Sequence, residues 1–543
     1  MEGLMQHAQL TVDRIFDYAK TWHGNREVVT RLPEGIIERT SYAALHARAK
    51  RVSNALLNEG IRPGDRVATL GWNGARHLEA WYGIVGIGAV CHTLNPRLFP
   101  EQIAYIVNHA RDRIILADAS CAPLLATLLP QCPSVERAVF LTDRDRMPAS
   151  DFPAIAYEDW IAGQSADCKW GGFDENTACG LCYTSGTTGN PKGVLYTHRS
   201  NYLHALMTLQ RDALALSARD SVLLIVPMYH ANAWGVVYSA PAVGAKLVLP
   251  GPRLDGASVY ELLESEQVTY SSGVPTVWQM LLQHMKATGG RFSTLKRITV
   301  GGSACSAGMI HAFEDEYGVE VTQGWGMTET SPLATVSTPD AEIAALSRDA
   351  QQTNKLKQGR LLCGLELKLT DDAGNRLPHD GRTFGRLKIK GPTIARAYFG
   401  NEGGSPLDEE GFFDTGDIST IDPRGYMQIT DRAKDVIKSG GEWISSIDVE
   451  NIAMCHPDVA CAAVIGVAHP KWDERPILIV QARPEAGTVT REDMLAFLEG
   501  KIANWWMPDD VLCVDEIPLG ATGKIDKKAI RLQFADYVLS SAR

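Results

Sequence analysis

Ten consecutive residues, Thr184-Ser185-Gly186-Thr187-Thr188-Gly189-Asn190-Pro191-Lys192-Gly193, carry four hydroxyls, three glycines, one proline and one lysine. Glycines let a backbone curl until successive N–H groups converge on an anion. Ser185, Thr187 and Thr188 add hydroxyl donors, and Lys192 adds a positive charge. Apolar runs flank the loop, Ala178 to Tyr183 before it and Val194 to Tyr196 after it. The pattern is strand, glycine-rich loop, strand, suited to phosphate oxygens. It is not a G-x-x-x-x-G-K-[ST] loop, because Pro191 precedes the lysine and Gly193 follows it.

Further along, several short segments carry reactive side chains. Pro227 to Gly235 places Tyr229, His230 and Trp234 together; read locally, a histidine among aromatics is a packed core residue. Gly301-Gly302-Ser303-Ala304 follows the apolar run Arg297 to Val300, where glycines permit close approach by a ligand or make an ordinary turn. Gln323 to Thr330 offers an aromatic face, a hydroxyl and the Glu329 carboxylate. A carboxylate of this kind suits Mg²⁺, which takes one or two carboxylates together with phosphate oxygens. Asp417 ends Phe412-Phe413-Asp414-Thr415-Gly416-Asp417, and Asp431 to Asp435 reads locally as a charged turn. Lys524 lies in Pro518 to Lys528, where a lysine on a glycine-rich loop is ordinarily a solvated charge.

Together these segments resemble the adenylate-forming enzymes, the superfamily of acyl-CoA synthetases, peptide-synthetase adenylation domains and beetle luciferases. YTSGTTGNPKGV resembles its phosphate loop, and the likeness runs from about residue 10 to about residue 535. The resemblance implies an ATP site made of Thr184, Ser185, Gly186, Thr187, Thr188, Gly189, Lys192, Gly302, Ser303, Ala304, Gly324, Trp325, Gly326 and Thr328. Asp417 and Arg432 are then the ribose contacts, and Glu329 the Mg²⁺ ligand. It implies an acyl pocket of Tyr229, His230, Trp234, Gly301, Gly302 and Trp325, with a helix after the aromatic-histidine pair. Lys524 matches the adenylation lysine of a P-x-x-x-T-G-K loop. Lys438, Ser439, Gly440, Gly441, Glu442 and Trp443 match the pantetheine tunnel, and Lys434 the hinge. The catalytic set so implied is Lys524, Lys438 and His230, acting with ATP, Mg²⁺ and coenzyme A.

Positioning these residues takes a layered scaffold. At 543 residues the chain exceeds one core, so two or three domains are expected. Leu45, Ala49, Val52 and Leu56 make a one-faced helical stripe after Thr40-Ser41, ending at Gly60. Strand-like runs at Asp65 to Leu70, Ala89 to Thr93 and Ile114 to Ala117 alternate with helical runs at His77 to Ile87 and after Pro100. That alternation indicates α/β layers. The expected fold is α/β: a large multi-layer N-terminal domain with mixed sheets, plus a small mobile α+β C-terminal lid domain. The expected bounds are 1–431, a hinge at 432–434, and a lid over 435–543 that carries Lys524.

Composition narrows the partners. The chain is 45% hydrophobic and 22% charged with net charge −11, which argues against nucleic-acid binding. Eleven scattered cysteines imply no disulfide framework, and Cys179 and Cys182 read as buried strand residues. Met1 to Thr11 has no signal-peptide pattern, and no run of 18 apolar residues predicts a membrane span. The cytoplasm is therefore the expected location, and a homodimer is common among the enzymes it resembles.

Ala231 to Val236 contains no aspartate, so an α-amino acid substrate is not expected. Only 19 residues follow Lys524, which leaves no room for a carrier domain and favours free coenzyme A as acceptor. HANAW, GWGMTETSP and Lys471 to Pro476 resemble one branch most closely, that of medium-chain fatty-acyl-CoA ligases and 3-methylmercaptopropionate-CoA ligases. The expected substrate is 3-methylmercaptopropionate, with Trp234 and Trp325 shortening the pocket. A thioether sulfur sits well against aromatic rings. The alternatives are a short- or medium-chain fatty acid, a luciferase-like oxygenase acting on the adenylate, and a non-catalytic nucleotide binder.

Overall fold

The computed structural model describes residues 1, 3–184, 190–433, 435–440, 442–483, 486, 489–520 and 524–539, without the side chains of Glu442 and Trp443. The five loop residues Ser185 to Gly189, the expected hinge residue Lys434, and Gly441 of the expected tunnel lie outside the described residues.

The helical stripe predicted after Thr40-Ser41 is the helix Tyr42–Asn58. The Ser41 hydroxyl caps it by accepting from the Ala44 N–H at 3.3 Å. Leu45, Ala49, Val52 and Leu56 are fully buried, and burying an aliphatic side chain of this size contributes about 1.5–3 kcal/mol. Pro100 opens the helix Pro100–Ala110 at its first position, where the missing N–H costs nothing. An earlier helix, Asp13–His23, was not expected from the sequence. It buries Ile15, Phe16 and Ala19, but Val12 at its N-cap offers no capping side chain, so the sequence lacks a start signal there.

Two large sheets form the framework. One has seven strands, in the spatial order Ala154–Ala156, Arg137–Phe140, Ile114–Ala117, Arg66–Leu70, Val90–Leu94, Ala178–Tyr183 and Gly193–Thr197. All its pairings are parallel except the last, where Tyr183 faces Gly193 across an antiparallel hairpin. The other has nine strands, with Ser221–Leu223, Tyr270–Gly273, Arg297–Val300 and Glu320–Gly326 running parallel at its centre. A four-stranded antiparallel sheet, Glu366–Thr370 to Met427–Arg432, completes the large domain.

The small C-terminal domain has its own five-stranded sheet, built around the long pair Val459–His469 and Asp473–Ala482. It buries its own apolar residues, among them Ile437, Val449, Val464, Leu478 and Met494. Cys179 and Cys182 are buried free thiols on the strand before the glycine-rich loop. No helix of the described residues is long and apolar enough to cross a membrane.

Candidate active site

In sheets with parallel strands, ligands bind outside the carboxyl ends of the strands. The glycine-rich loop leaves the carboxyl end of Ala178–Tyr183, and Gly301 leaves that of Arg297–Val300. Trp325 and Gly326 close the strand Glu320–Gly326. The geometry thus brings loop ends from both large sheets to one cleft.

At the loop, Thr184 N–H donates to the Lys192 carbonyl at 2.9 Å, so the two ends of the glycine-rich segment are pinned together. Tyr183, just before it, meets His109 Nδ1 through its hydroxyl at 2.6 Å. The Lys192 ammonium lies 4.8 Å from the centre of the Tyr398 ring. Tyr398 also donates its hydroxyl hydrogen bond to Glu329 Oε1 at 2.8 Å. Glu329 is 5% exposed, and burial pushes its carboxyl up despite that bond. One side chain therefore braces both the cation and the carboxylate. No local pattern in the sequence singles out Tyr398, because its partners Lys192 and Glu329 are distant in the chain.

Asp417 is almost fully buried. Its Oδ2 accepts from the Trp325 indole N–H at 3.0 Å, and its Oδ1 pairs with Arg432 Nε at 3.0 Å. Burial pushes the Asp417 carboxyl up, while Arg432 and Trp325 oppose the shift. Trp325 is thus oriented by Asp417 through its indole N–H.

Asn73 builds the wall that leads to Tyr229 and His230. Its amide donates to the Leu224 and Val226 carbonyls at 2.6 and 2.8 Å, and its carbonyl accepts from Met228 N–H at 2.7 Å. Tyr229 and His230 pack ring to ring at 4.9 Å. Burial, then the charges of Lys524 and Arg97, push His230 down to about 4, so its imidazole is neutral near pH 7. A neutral ring packs and hydrogen-bonds but supplies no positive charge to a phosphate.

The expected pocket helix does not begin after His230. Ala231, Asn232, Ala233 and Trp234 instead form a left-handed turn, with φ of 39°, 60°, 49° and 55°. Gly235 follows at φ 79°, and a right-handed helix, Val236–Val243, starts only then. A Cβ on Gly235 would lie 2.6 Å from His204 Nδ1, so the turn closes tightly on that ring. Below, the Asn232 amide donates to Asn201 Oδ1 at 3.1 Å, and Asn201 donates to Cys179 Sγ at 3.2 Å. This left-handed path aims the Trp234 indole at the next loop. A Cβ on Gly301 would sit 2.9 Å from Trp234 Cη2, so only glycine fits beneath that ring.

Lys524 comes from the small domain to the same place. Its Cε lies 3.7 Å from where a Cβ on Gly302 would be. The residue as a whole is exposed, and the burial is at its ammonium. Burial there, then Arg432, pushes the ammonium down to about 8, while Asp417 pulls the other way. Lys438 is elsewhere: it is exposed, and its Nζ stands 4.0 Å from Asp372 Oδ2, just after the strand Glu366–Thr370. Ser439 is buried with its hydroxyl against Arg475, and Gly440 is packed under Trp472 and Trp505. The structure therefore brings Lys524, Asp417, Arg432, Gly301, Gly302, His230 and Trp234 to one cleft, and leaves Lys438, Ser439 and Gly440 of the expected thiol tunnel outside it.

A cleft with a phosphate-type loop, a buried carboxylate–arginine pair and a lysine reaching in from a second domain defines an adenylate-forming architecture. Residues 16–399 match the AMP-binding enzyme family, and residues 448–524 match the AMP-binding enzyme C-terminal domain. The chain belongs to the AMP-binding enzyme family. It is 47% identical to a 3-methylmercaptopropionyl-CoA ligase of Ruegeria pomeroyi, over 99% of this chain and all of the relative. It is also 47% identical to a medium-chain-fatty-acid–CoA ligase of Ectopseudomonas oleovorans, over 100% of this chain and 99% of the relative. Its fold is similar to that of the anthranilate CoA ligase AuaEII in complex with anthranoyl-AMP, with a TM-score of 0.87 at 24% identity, covering 99% of this chain and 100% of that one.

Proposed function

We propose that this AMP-forming acyl-CoA ligase activates 3-methylmercaptopropionate. A carboxylate is a poor electrophile. Its oxygen attacks the α-phosphorus of ATP, the bond to the pyrophosphate oxygen breaks, and an acyl adenylate results. The thiolate of coenzyme A then attacks the adenylate carbonyl and AMP leaves. The observation that carries this reading is Lys524 standing over Gly302, beside Trp234 and across from the Asp417–Arg432 pair.

In this reading Asp417 holds the ribose hydroxyls, with Arg432 and Trp325 fixing its orientation. Thr184, Lys192 and the loop between them cradle the β- and γ-phosphates. Glu329 would hold Mg²⁺: its carboxylate is buried at the cleft with one oxygen oriented by the Tyr398 hydroxyl. When bound there, Mg²⁺ would add positive charge at the phosphates. Lys524 bridges the carboxylate oxygen and the α-phosphate, as a compact ammonium can. Charge that develops on phosphate oxygens is met by preorganised donors, so positioning and electrostatics carry the step.

The lid then turns about Lys434, removing Lys524 and bringing Lys438 to Trp443 to the thiol path. This is a hinge-type closure that serves two steps. A soluble carboxylic acid, ATP and coenzyme A are the partners, and the cytoplasm is the proposed location.

Trp234 supports a short, sulfur-bearing acid. The outer edge of its ring abuts the Gly301–Gly302 turn, and an indole there suits a thioether sulfur. Identity to ligases of the two names is equal, so a medium-chain fatty acid is the second reading. Trp234→Ala is expected to shift preference toward longer acids. Each further buried methylene adds about 0.8 kcal/mol, so two carbons change relative kcat/KM by roughly tenfold. An unchanged chain-length profile would remove Trp234 from the pocket floor. The test of the whole reading is a panel of straight-chain acids and thioether acids, scored by CoA-dependent AMP formation. A best rate with a straight-chain acid of six or more carbons would favour the second reading. Oxygen consumption in place of thioester would favour an oxygenase.

A further inference from the structure

Three residues after Lys524, Lys527 begins the helix Lys527–Gln533 and points away from the cleft into the seam between the two domains. Its side chain is only 12% exposed. The ammonium lies 2.7 Å from Glu450 Oε1 and also reaches the Ser446 hydroxyl, both on the lid helix Ser446–Ala453. That helix faces the last strand of the large domain, Met427–Arg432. Ser446 N–H donates to Asp431 Oδ2 at 3.0 Å, and the Ser445 hydroxyl donates to the Thr430 carbonyl at 2.6 Å. Asp431 is almost fully buried.

We propose that Lys527 is a positioning residue, which latches the lid in the orientation that delivers Lys524 to Gly302 by holding Glu450 and Ser446 of the lid helix where the Ser446 N–H meets Asp431 of the large domain. The inference rests on the reading that the lid changes orientation between the two half-reactions. It adds what holds the first orientation.

The charges at the seam are unequal. Asp431, Asp435, Asp448 and Glu450 bring acidic groups together, and Arg531 is engaged with Asp435 at 2.6 Å. Burial opposes the charge on Lys527, but Glu450 and Asp431 outweigh it and hold the ammonium above the ordinary lysine value. Without that ammonium, Asp431 and Glu450 face each other across the seam as buried carboxyls, and a buried group left without its partner costs more than the bond itself contributed. Turning the lid about a pivot between Arg432 and Val436 separates residues 430–431 from 445–446 and breaks this set. The catalytic lysine and the latch lie on one short stretch, so seating one seats the other.

Lys527→Met is the primary test, with three readouts on the full-length chain. Pyrophosphate release from acid and ATP is expected to fall about tenfold, as for loss of a charge-assisted contact. Thioester formation from chemically made acyl adenylate and coenzyme A is expected to match or exceed the unmodified enzyme. In the ligand-free protein, amide exchange at Ser446 and Asp448 is expected to quicken, while Ala462 to Val467 and Ile477 to Gln481 keep their protection. Lys527→Arg should restore most of the first half-reaction. Asp431→Ala leaves the lid's own Lys527–Glu450 pair in place and should reproduce the pattern. Equal loss in both half-reactions, or faster exchange throughout the lid sheet, would reduce Lys527 to a packing role and overturn the proposal. So would an Asp431→Ala enzyme that behaves as the unmodified one does. If no acid yields adenylate even with the unmodified chain, the proposed function fails, and the exchange measurement still judges the latch alone.

Discussion

Lys524→Ala should lower pyrophosphate release from acid and ATP by roughly 10²–10³-fold, the usual cost of removing one preorganised electrostatic donor. The same variant, given premade acyl adenylate and coenzyme A, should form thioester at close to the original rate. The fold should persist, because an accessible loop lysine contributes little to stability. The position of the side chain over Gly302 adds a pH signature. Burial and Arg432 push the ammonium down to about 8, so its charge is present below that pH and lost as pH rises through it. Because kcat/KM reports the free enzyme, its value for the first half-reaction should decline above about pH 8. Lys524→Arg should flatten that decline, since a guanidinium stays charged. Equal impairment with premade adenylate, with circular dichroism unchanged, would remove Lys524 from a role confined to adenylation.

Lys434→Pro should have the opposite selectivity. Proline fixes φ near −65° and cannot follow a backbone rotation. With the lid held where Lys524 meets the large domain, adenylate formation should survive. Thioester formation should then fall about 100-fold or more, since a misplacement of even 1 Å costs that much. Lys438 already stands beside Asp372 rather than at the cleft in the orientation described, so a large movement is required to bring it in. Separate stopped-time assays of the two half-reactions decide the matter. Equal loss in both would mean that the pivot lies elsewhere in the 432–436 stretch.

Much of the framework was readable as local pattern. The stripe at Leu45, Ala49, Val52 and Leu56, and the apolar runs on either side of the glycine-rich loop, are set by residues close in sequence, and they fold as expected. The parts that escaped are set by contacts between distant residues. Asn73 holds Met228 across 155 positions, and Tyr398 reaches Glu329 across 69. No periodicity links such pairs. Trp325 was expected in the acyl pocket from the family resemblance of its segment, which says nothing of what orients the ring. Its direction is set by the hydrogen bond to Asp417, 92 residues away. The expected helix after His230 failed for a different cause: a left-handed path leaves no mark in hydrophobic spacing, and only Gly235 hints at it.

That turn constrains any attempt to re-engineer chain-length preference. Left-handed residues other than glycine cost roughly 1–2 kcal/mol each, and four stand in succession at Ala231 to Trp234. The surrounding structure must supply the compensation, through Asn201 under Asn232 and His204 beside Gly235. A valine or isoleucine at any of these four positions would add the crowding of a branched Cβ to a backbone that barely tolerates an unbranched one. Grafting a segment from a relative with another pocket depth would therefore carry over the side chains but not the conformation. The transferable unit is the turn with its supports, and libraries that vary 231–234 alone will lose folded protein before they gain new substrates.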